Sequence, residues 1–146
     1  MSGTEETRFL TLMLRSLPLF AGLNPEQAEK LLPIMKLYNL DAGTVVIEEG
    51  GTGDAFFAIY SGKVKVEVKV PGFFGGKRLL NTLGPGKFFG ELALILHQPR
   101  TATVTCVEPT QCFVLEKEDF TELLEQNPDI AELVKTTGQE RYDELG

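Results

Sequence analysis

From Lys63 to Val70 the chain reads Lys-Val-Lys-Val-Glu-Val-Lys-Val, a valine alternating with a charge at every step. Successive side chains of an extended strand point to opposite faces, so this run has one dry face and one wet one. A helix would scatter the same valines around its circumference. The middle of the chain is thereby committed to a sheet with one solvated side, which is the habit of antiparallel strands. Other segments fit the same period. Val45-Val46-Ile47 is expected as a buried strand, Ala55 to Ser61 as a second, and Leu79, Leu80 and Leu83 as the start of a third. Residues 102–107 and 111–115 read as two further strands, joined by the turn Glu108-Pro109-Thr110. Asp41–Thr44, Glu49–Asp54 and Gly84-Pro85-Gly86 supply turn chemistry between them.

Before Tyr38 and after Leu115 the period is helical. Phe9, Leu10, Met13, Leu14 and Leu17 recur at helical spacing from Thr7, and Pro18 ends that helix. Phe20 in the apolar turn Leu19–Leu23 is a core anchor. Asn24 caps a second helix with Pro25 at its first position and Glu26 in its first turn. Ala28, Leu31, Leu32 and Met35 mark its inner face, and Pro33 predicts a kink or an early stop. At the other end, Glu118–Gln126 carries Phe120, Leu123 and Leu124 on one side. Asn127 is expected to cap a last helix, with Pro128 first and Ile130, Leu133 and Val134 inward. Gly138 is expected to interrupt that helix and leave 139–146 as a weak polar tail. Residues 1–6 are polar and read as a disordered lead.

Residues 88–104 hold the densest chemistry: Phe88-Phe89-Gly90-Glu91-Leu92-Ala93-Leu94-Ile95-Leu96-His97-Gln98-Pro99-Arg100-Thr101-Ala102-Thr103-Val104. Gly90 allows backbone angles that a side chain forbids. Leu92 to Leu96 favour a helix, and Glu91 stands at its start. The first amides of such a turn have no internal partner and are ready donors to an anion. Pro99 stops the helix, so Arg100 emerges close to those amides. Guanidinium and amides together suit one phosphate. Glu91 beside a phosphate is unfavourable unless it takes hydroxyls of the same ligand, because an ionised carboxylate only accepts. The implied ligand carries a phosphate and a sugar hydroxyl close together.

Phe-Gly-Glu-Leu-Ala-Leu, a short gap, then Pro-Arg-Thr-Ala-Thr-Val resembles the phosphate-binding cassette of the cyclic nucleotide-binding domain family. That family includes regulatory subunits of cyclic-AMP-dependent kinase, cyclic-nucleotide-gated channels and bacterial catabolite-activator-type regulators. The resemblance implies a nucleotide site formed by Phe89, Gly90, Glu91, Leu92, Ala93, Arg100, Thr101 and Ala102. It gives Glu91 the ribose 2′-hydroxyl and Arg100 the cyclic phosphate, with the amides of Leu92 and Ala93 capping that phosphate. Gly90 permits close approach, and Thr101 sits at the base and phosphate edge. Glu49–Asp54 is similar to the family's Gly-Asp-x-x-Gly-Asp loop, with Gly51 where an acid is common. It is read mainly as a tight corner, with any ligand contact made through the backbone. The ligand is cyclic AMP or cyclic GMP, with cyclic AMP slightly favoured because no second guanine-specific residue stands out. Val134 and Tyr142 are lid candidates over the base.

The expected fold is mainly β with flanking helices: an antiparallel β-barrel of the jelly-roll (double-stranded β-helix) kind between N- and C-terminal helices. The 146 residues fit one domain, with helices over 1–37, the barrel over 38–116 and helices over 117–146. Its function is to sense a cyclic nucleotide and pass binding on through the terminal helices, to an effector protein or a second copy. A fold that keeps the shape but has lost the pocket is the alternative, and the retained Gly90, Glu91, Ala93, Arg100 and Ala102 weigh against it.

An enzyme is not expected. A metal site of the cupin sort needs clustered ligands, and the single histidine, His97, reads as a loop residue. No cofactor is implied. The net charge of −7 argues against nucleic acid and anionic lipid as partners. No apolar run is long enough to span a bilayer, no membrane insertion is expected, and the N-terminus lacks a signal-peptide pattern. A cytoplasmic location follows, with Cys106 and Cys112 as free buried thiols on strands expected to be hairpin neighbours. Phe73 and Phe74 at a loop tip either tuck under the barrel or meet a partner.

Overall fold

The computed structural model describes residues 4–72, 74–95 and 99–145, without side chains for Thr4, Leu92 and 138–145. The chain falls into two compact units, residues 37–114 and residues 1–36 with 115–146.

The first unit is a jelly roll. Its strands are β1 (Lys36–Leu40), β2 (Val45–Ile47), β3 (Ala55–Ser61), β4 (Val64–Val70), β5 (Gly76–Leu83), β6 (Phe88–Phe89), β7 (Thr103–Cys106) and β8 (Thr110–Glu116). They form two four-stranded sheets in the orders β1-β8-β3-β6 and β2-β7-β4-β5. The pairs β2–β7, β3–β6, β4–β5 and β4–β7 are antiparallel. Among the described residues the strands make two sheets and close no barrel. Ile47, Ile59, Val64, Val104, Cys106, Cys112 and Val114 form one buried cluster drawn from both sheets, which is the core between them. Val64 is wholly buried beside exposed Lys63, but the expected alternation fades along β4: Val66 and Val68 are half-buried like Lys65 and Glu67, Val70 is exposed like Lys69, and the register with β5 shifts between Val66 and Glu67.

Three strand expectations are corrected. Val45 is 52% exposed, because a register shift between Val45 and Ile47 breaks the alternation of this short edge strand. The strand after the hairpin begins at Gly76, earlier than expected, and its leucines Leu79 and Leu80 are exposed. The two cysteine-bearing strands are not hairpin neighbours. β7 lies in one sheet and β8 in the other, and Cys106 stands opposite Val64 of β4. Both thiols are free and buried.

Burial pushes the Cys112 thiol up to about 12, with Cys106 adding to the shift. A raised folded-state value means that the folded protein holds this proton longer than the unfolded chain. The associated stability is complete below the thiol's ordinary value and lost as pH climbs toward about 12. The melting temperature is expected to fall above about pH 9, and Cys112→Ala to flatten part of that fall. Identical pH profiles for the two proteins would show that Cys112 is not desolvated.

The second unit is helical: α1 (Thr4–Ser16), α2 (Pro25–Glu29), α3 (Lys117–Gln126) and α4 (Pro128–Leu145), with short 3-10 turns at Pro18–Phe20 and Leu32–Ile34. Asn24 caps α2 in a full capping box, its side chain accepting from the Gln27 amide while the Gln27 side chain accepts from the Asn24 amide. The helix ends early, at Glu29, and Pro33 falls in the 3-10 turn beyond. Leu14, Leu17, Phe20, Leu31, Phe120, Ile130 and Val134 are buried, and Phe20 meets Phe120 edge-on at 5.7 Å. Gln27 Nε2 donates to Asp129 Oδ2 at 2.7 Å, which holds that carboxyl below its usual range. Asn127 does not use its side chain as expected. Its Nδ2 donates back to the Leu123 carbonyl, and its Oδ1 accepts from Lys30 Nζ at 2.8 Å. Gly138 does not break α4, which runs on to Leu145. One glycine disfavours a helix by only about 1 kcal/mol, and strong helix formers follow it. Among the described residues no helix is long and apolar enough to cross a membrane.

Candidate functional site

Arg100 is fixed by a loop about fifty residues before it in the chain. Its amide donates to the Gly51 carbonyl at 2.7 Å, and its carbonyl accepts from the Gly50 amide at 2.8 Å. Thr52 bridges Pro99 beside them. The Glu49 amide donates to Thr103 Oγ1, and the Glu49 carboxylate accepts from the Lys69 amide. The turn Glu49–Asp54 and the segment 99–103 are thus one piece of structure. From this mount the guanidinium reaches β3, where Nη2 donates to the Ala55 carbonyl at 2.9 Å.

A cavity of about 380 Å³ opens here, lined by Ile47, Glu48, Thr52, Asp54, Phe57 and Arg100 among others. That size suits a small organic ligand. Partial burial pulls the Arg100 pKa down, and the charge of Asp54 pulls it back up. A guanidinium stays protonated under either influence. Its Nε is buried without a hydrogen-bond partner among the described residues. A buried donor left unsatisfied costs about 1–3 kcal/mol. An anion entering the cavity would offer that donor an acceptor.

Two glycines make room for Arg100. At Gly53 an added Cβ would overlap Nε, Cζ and Nη2 of Arg100. Gly90 has φ of 85°, and an added Cβ there would come within 2.7 Å of the Ala55 carbonyl and 3.0 Å of Arg100 Nη1. Only glycine meets both demands at position 90.

Of the eight residues predicted from sequence, Arg100 lines the cavity and Gly90 lies against the Arg100 side chain. Phe89 pairs with Phe57 across β6 and β3, their rings stacked at 5.0 Å. Glu91 opens a four-residue 3-10 turn, Glu91–Leu94, that packs on β3, and its side chain is only 4% exposed. This turn is shorter and tighter than the helix the leucines predict, and the Ala93 amide donates back to the Gly90 carbonyl at 3.1 Å. The Leu92 side chain lies outside the described atoms, as do residues 96–98 with His97. Thr101 is exposed and Ala102 half-buried, in the bend just before β7.

Sequence reasoning underrated the glycine-rich loop. Gly51, Thr52, Gly53 and Asp54 all line the cavity. The signal was present as Gly-Thr-Gly-Asp, but nothing local tells that a glycine faces an arginine almost fifty residues on. Val134 is buried in the helical unit, and the Tyr142 side chain is not described. Among the described residues no three His, Cys, Asp or Glu side chains cluster to hold a metal.

Residues 38–127 match the family profile of the cyclic nucleotide-binding domain. The chain belongs to that family. It is 37% identical over 112 residues to cGMP-dependent protein kinase, isozyme 1, of Drosophila melanogaster, covering 76% of this chain and 15% of the kinase. It is 34% identical over 114 residues to the cyclic AMP receptor protein of Thermus thermophilus, covering 78% of this chain and 52% of that protein. This cyclic nucleotide-binding domain thus corresponds to between about a seventh and a half of those two relatives. The N-terminal domain of a transcriptional regulator from Streptomyces coelicolor superposes with a TM-score of 0.79 at 32% identity, covering 91% of this chain and 92% of that one.

Proposed function

We propose that the chain binds a cyclic nucleoside monophosphate in the cavity at Arg100, and that it is a regulatory module without catalysis of its own. The observation that carries the reading is the half-buried Arg100 guanidinium, held by the 50–51 loop, whose buried Nε has no hydrogen-bond partner among the described residues and lies beside a cavity of ligand size. In this reading the phosphate takes Nε, Glu91 takes the ribose 2′-hydroxyl, and the Leu92 and Ala93 amides turn to the phosphate. Gly90, Thr101, Ala102 and the Phe89 ring shape the walls. The two relatives are named for cyclic GMP and cyclic AMP respectively, which supports the ligand class and leaves the base open. Cyclic AMP is the slightly favoured ligand, and the module works in the cytoplasm, where its buried thiols stay reduced.

Binding is passed on by a population shift. Ordering of the 90–93 turn favours one of two packings of the terminal helices, which then present a changed surface to an effector or a second copy. Calorimetric titration of nucleotide-free protein with cyclic AMP and cyclic GMP tests the binding, and hydrogen exchange of α3 and α4 with and without nucleotide tests the transmission. No heat from either nucleotide would make the pocket a relic. Binding with unchanged helix protection would leave a sensor that signals by another route. Glu91→Gln is expected to weaken binding by about 1–3 kcal/mol, because one charged acceptor of the ribose becomes neutral. An unchanged Kd in that variant would remove Glu91 from the site.

A further inference from the structure

The β4–β5 hairpin differs in charge from the rest of the chain. From Val68 to Gly90 no residue is acidic, although the chain carries 21 Asp and Glu and a net charge of −7. Three of the four cations of this segment gather at the hairpin end, where Lys69 lies opposite Lys77 in register and Arg78 follows, while Lys87 stands apart before β6. Like charges directly opposite each other repel. All three side chains are exposed, and none makes an ion pair among the described residues. Glu49 reaches this end, where its Oε1 accepts from the Lys69 amide. The Lys65–Glu67 pair lies further down β4.

Beyond the cations the tip is apolar. Phe74 is 94% exposed and Val70 43% exposed. Gly72 has φ of 119°, and the Gly75 amide donates back to the Gly72 carbonyl, so the turn is tight. The tip thus carries an exposed aromatic ring, with three exposed cations on the strands just behind it. Between β4 and β5 the tip is five residues, 71–75, against roughly 20–30 on each side of a stable protein interface. The outer edge of β5 is also poorly suited to strand addition, since a bulge at Leu80 and the charges of Lys77 and Arg78 interrupt it. An aromatic ring ahead of cations does match the boundary of an anionic bilayer, with hydrocarbon below and negative headgroups above.

We propose that the β4–β5 hairpin tip docks on an anionic phospholipid surface, Phe74 entering the headgroup region while Lys69, Lys77 and Arg78 meet the lipid charges. The net charge of the whole chain opposes approach, so attachment is weak, salt-sensitive and restricted to this end. Flotation of the full chain with vesicles tests it, using phosphatidylcholine alone and phosphatidylcholine with about a third phosphatidylserine. Recovery with the anionic vesicles is expected, and little with the neutral ones. Phe74→Ser should reduce binding several-fold. Lys77→Glu with Arg78→Glu should reduce it about tenfold or more, and both variants should keep the wild-type melting temperature. Absence of binding to the anionic vesicles overturns the proposal, as does binding that neither variant changes. Retention of a single-stranded oligonucleotide that needs Lys77 and Arg78 but ignores Phe74 would make the tip a polyanion site instead. A dimer dispersed by Phe74→Ser would make it a contact between copies.

Discussion

Replacing Arg100 with leucine is expected to weaken cyclic nucleotide binding by about 2–5 kcal/mol, a rise in Kd of roughly 30-fold to several thousand-fold. The phosphate would enter a half-buried cavity that has lost its Arg100 cation, while Asp54 stays and repels it. The effect on the unliganded fold should be far smaller. The variant loses the bond from Nη2 to the Ala55 carbonyl, worth about 1 kcal/mol. It also removes a guanidinium whose Nε is buried without a partner, and that relief is of similar size. The two changes offset, so the melting temperature without ligand should lie close to wild type while the shift produced by nucleotide disappears. Titration calorimetry and a melting curve on the same sample read both. Wild-type affinity in this variant would place the phosphate elsewhere. A lysine at position 100 keeps the charge but not the planar fork, and should fall between the two.

The parts of this molecule that were legible in its sequence are those fixed by neighbours along the chain. The alternation of 63–70 placed β4 to within a residue, and Asn24-Pro25 placed the start of α2 because a cap and its helix are local. Errors came where a distant partner decided. β7 and β8 read as a hairpin because three turn residues join them, yet each pairs with other strands and the link crosses between sheets. Gly138 read as a helix stop, but one weak residue does not end a helix whose other positions favour it. At the site, Gly90, Glu91 and Arg100 stood out because they share one short stretch. Gly53 and Asp54 did not, since their relation to Arg100 exists only once β3 and the 99–103 segment have folded together.

That relation makes Gly53→Ala the second decisive variant. Gly53 is not among the glycines with positive φ, so its backbone accepts alanine without strain. The obstacle to a Cβ is the Arg100 side chain alone, at Nε, Cζ and Nη2. A side chain can swing away where a backbone cannot, so the fold should survive and Arg100 should leave the Ala55 carbonyl. Nucleotide binding is then expected to weaken by about 2 kcal/mol or more, roughly 30-fold in Kd, because the cation remains but is no longer aimed. Gly76→Ala is the matched control. Its added Cβ meets nothing within 4 Å and its φ is not positive, so wild-type affinity is expected there. Combining Gly53→Ala with Arg100→Leu separates the explanations. If the alanine acts only by displacing the guanidinium, it should cost nothing further once the arginine is gone. Additive losses would instead mean that residue 53 meets the nucleotide itself, and that the glycine-rich loop is a second binding wall in its own right.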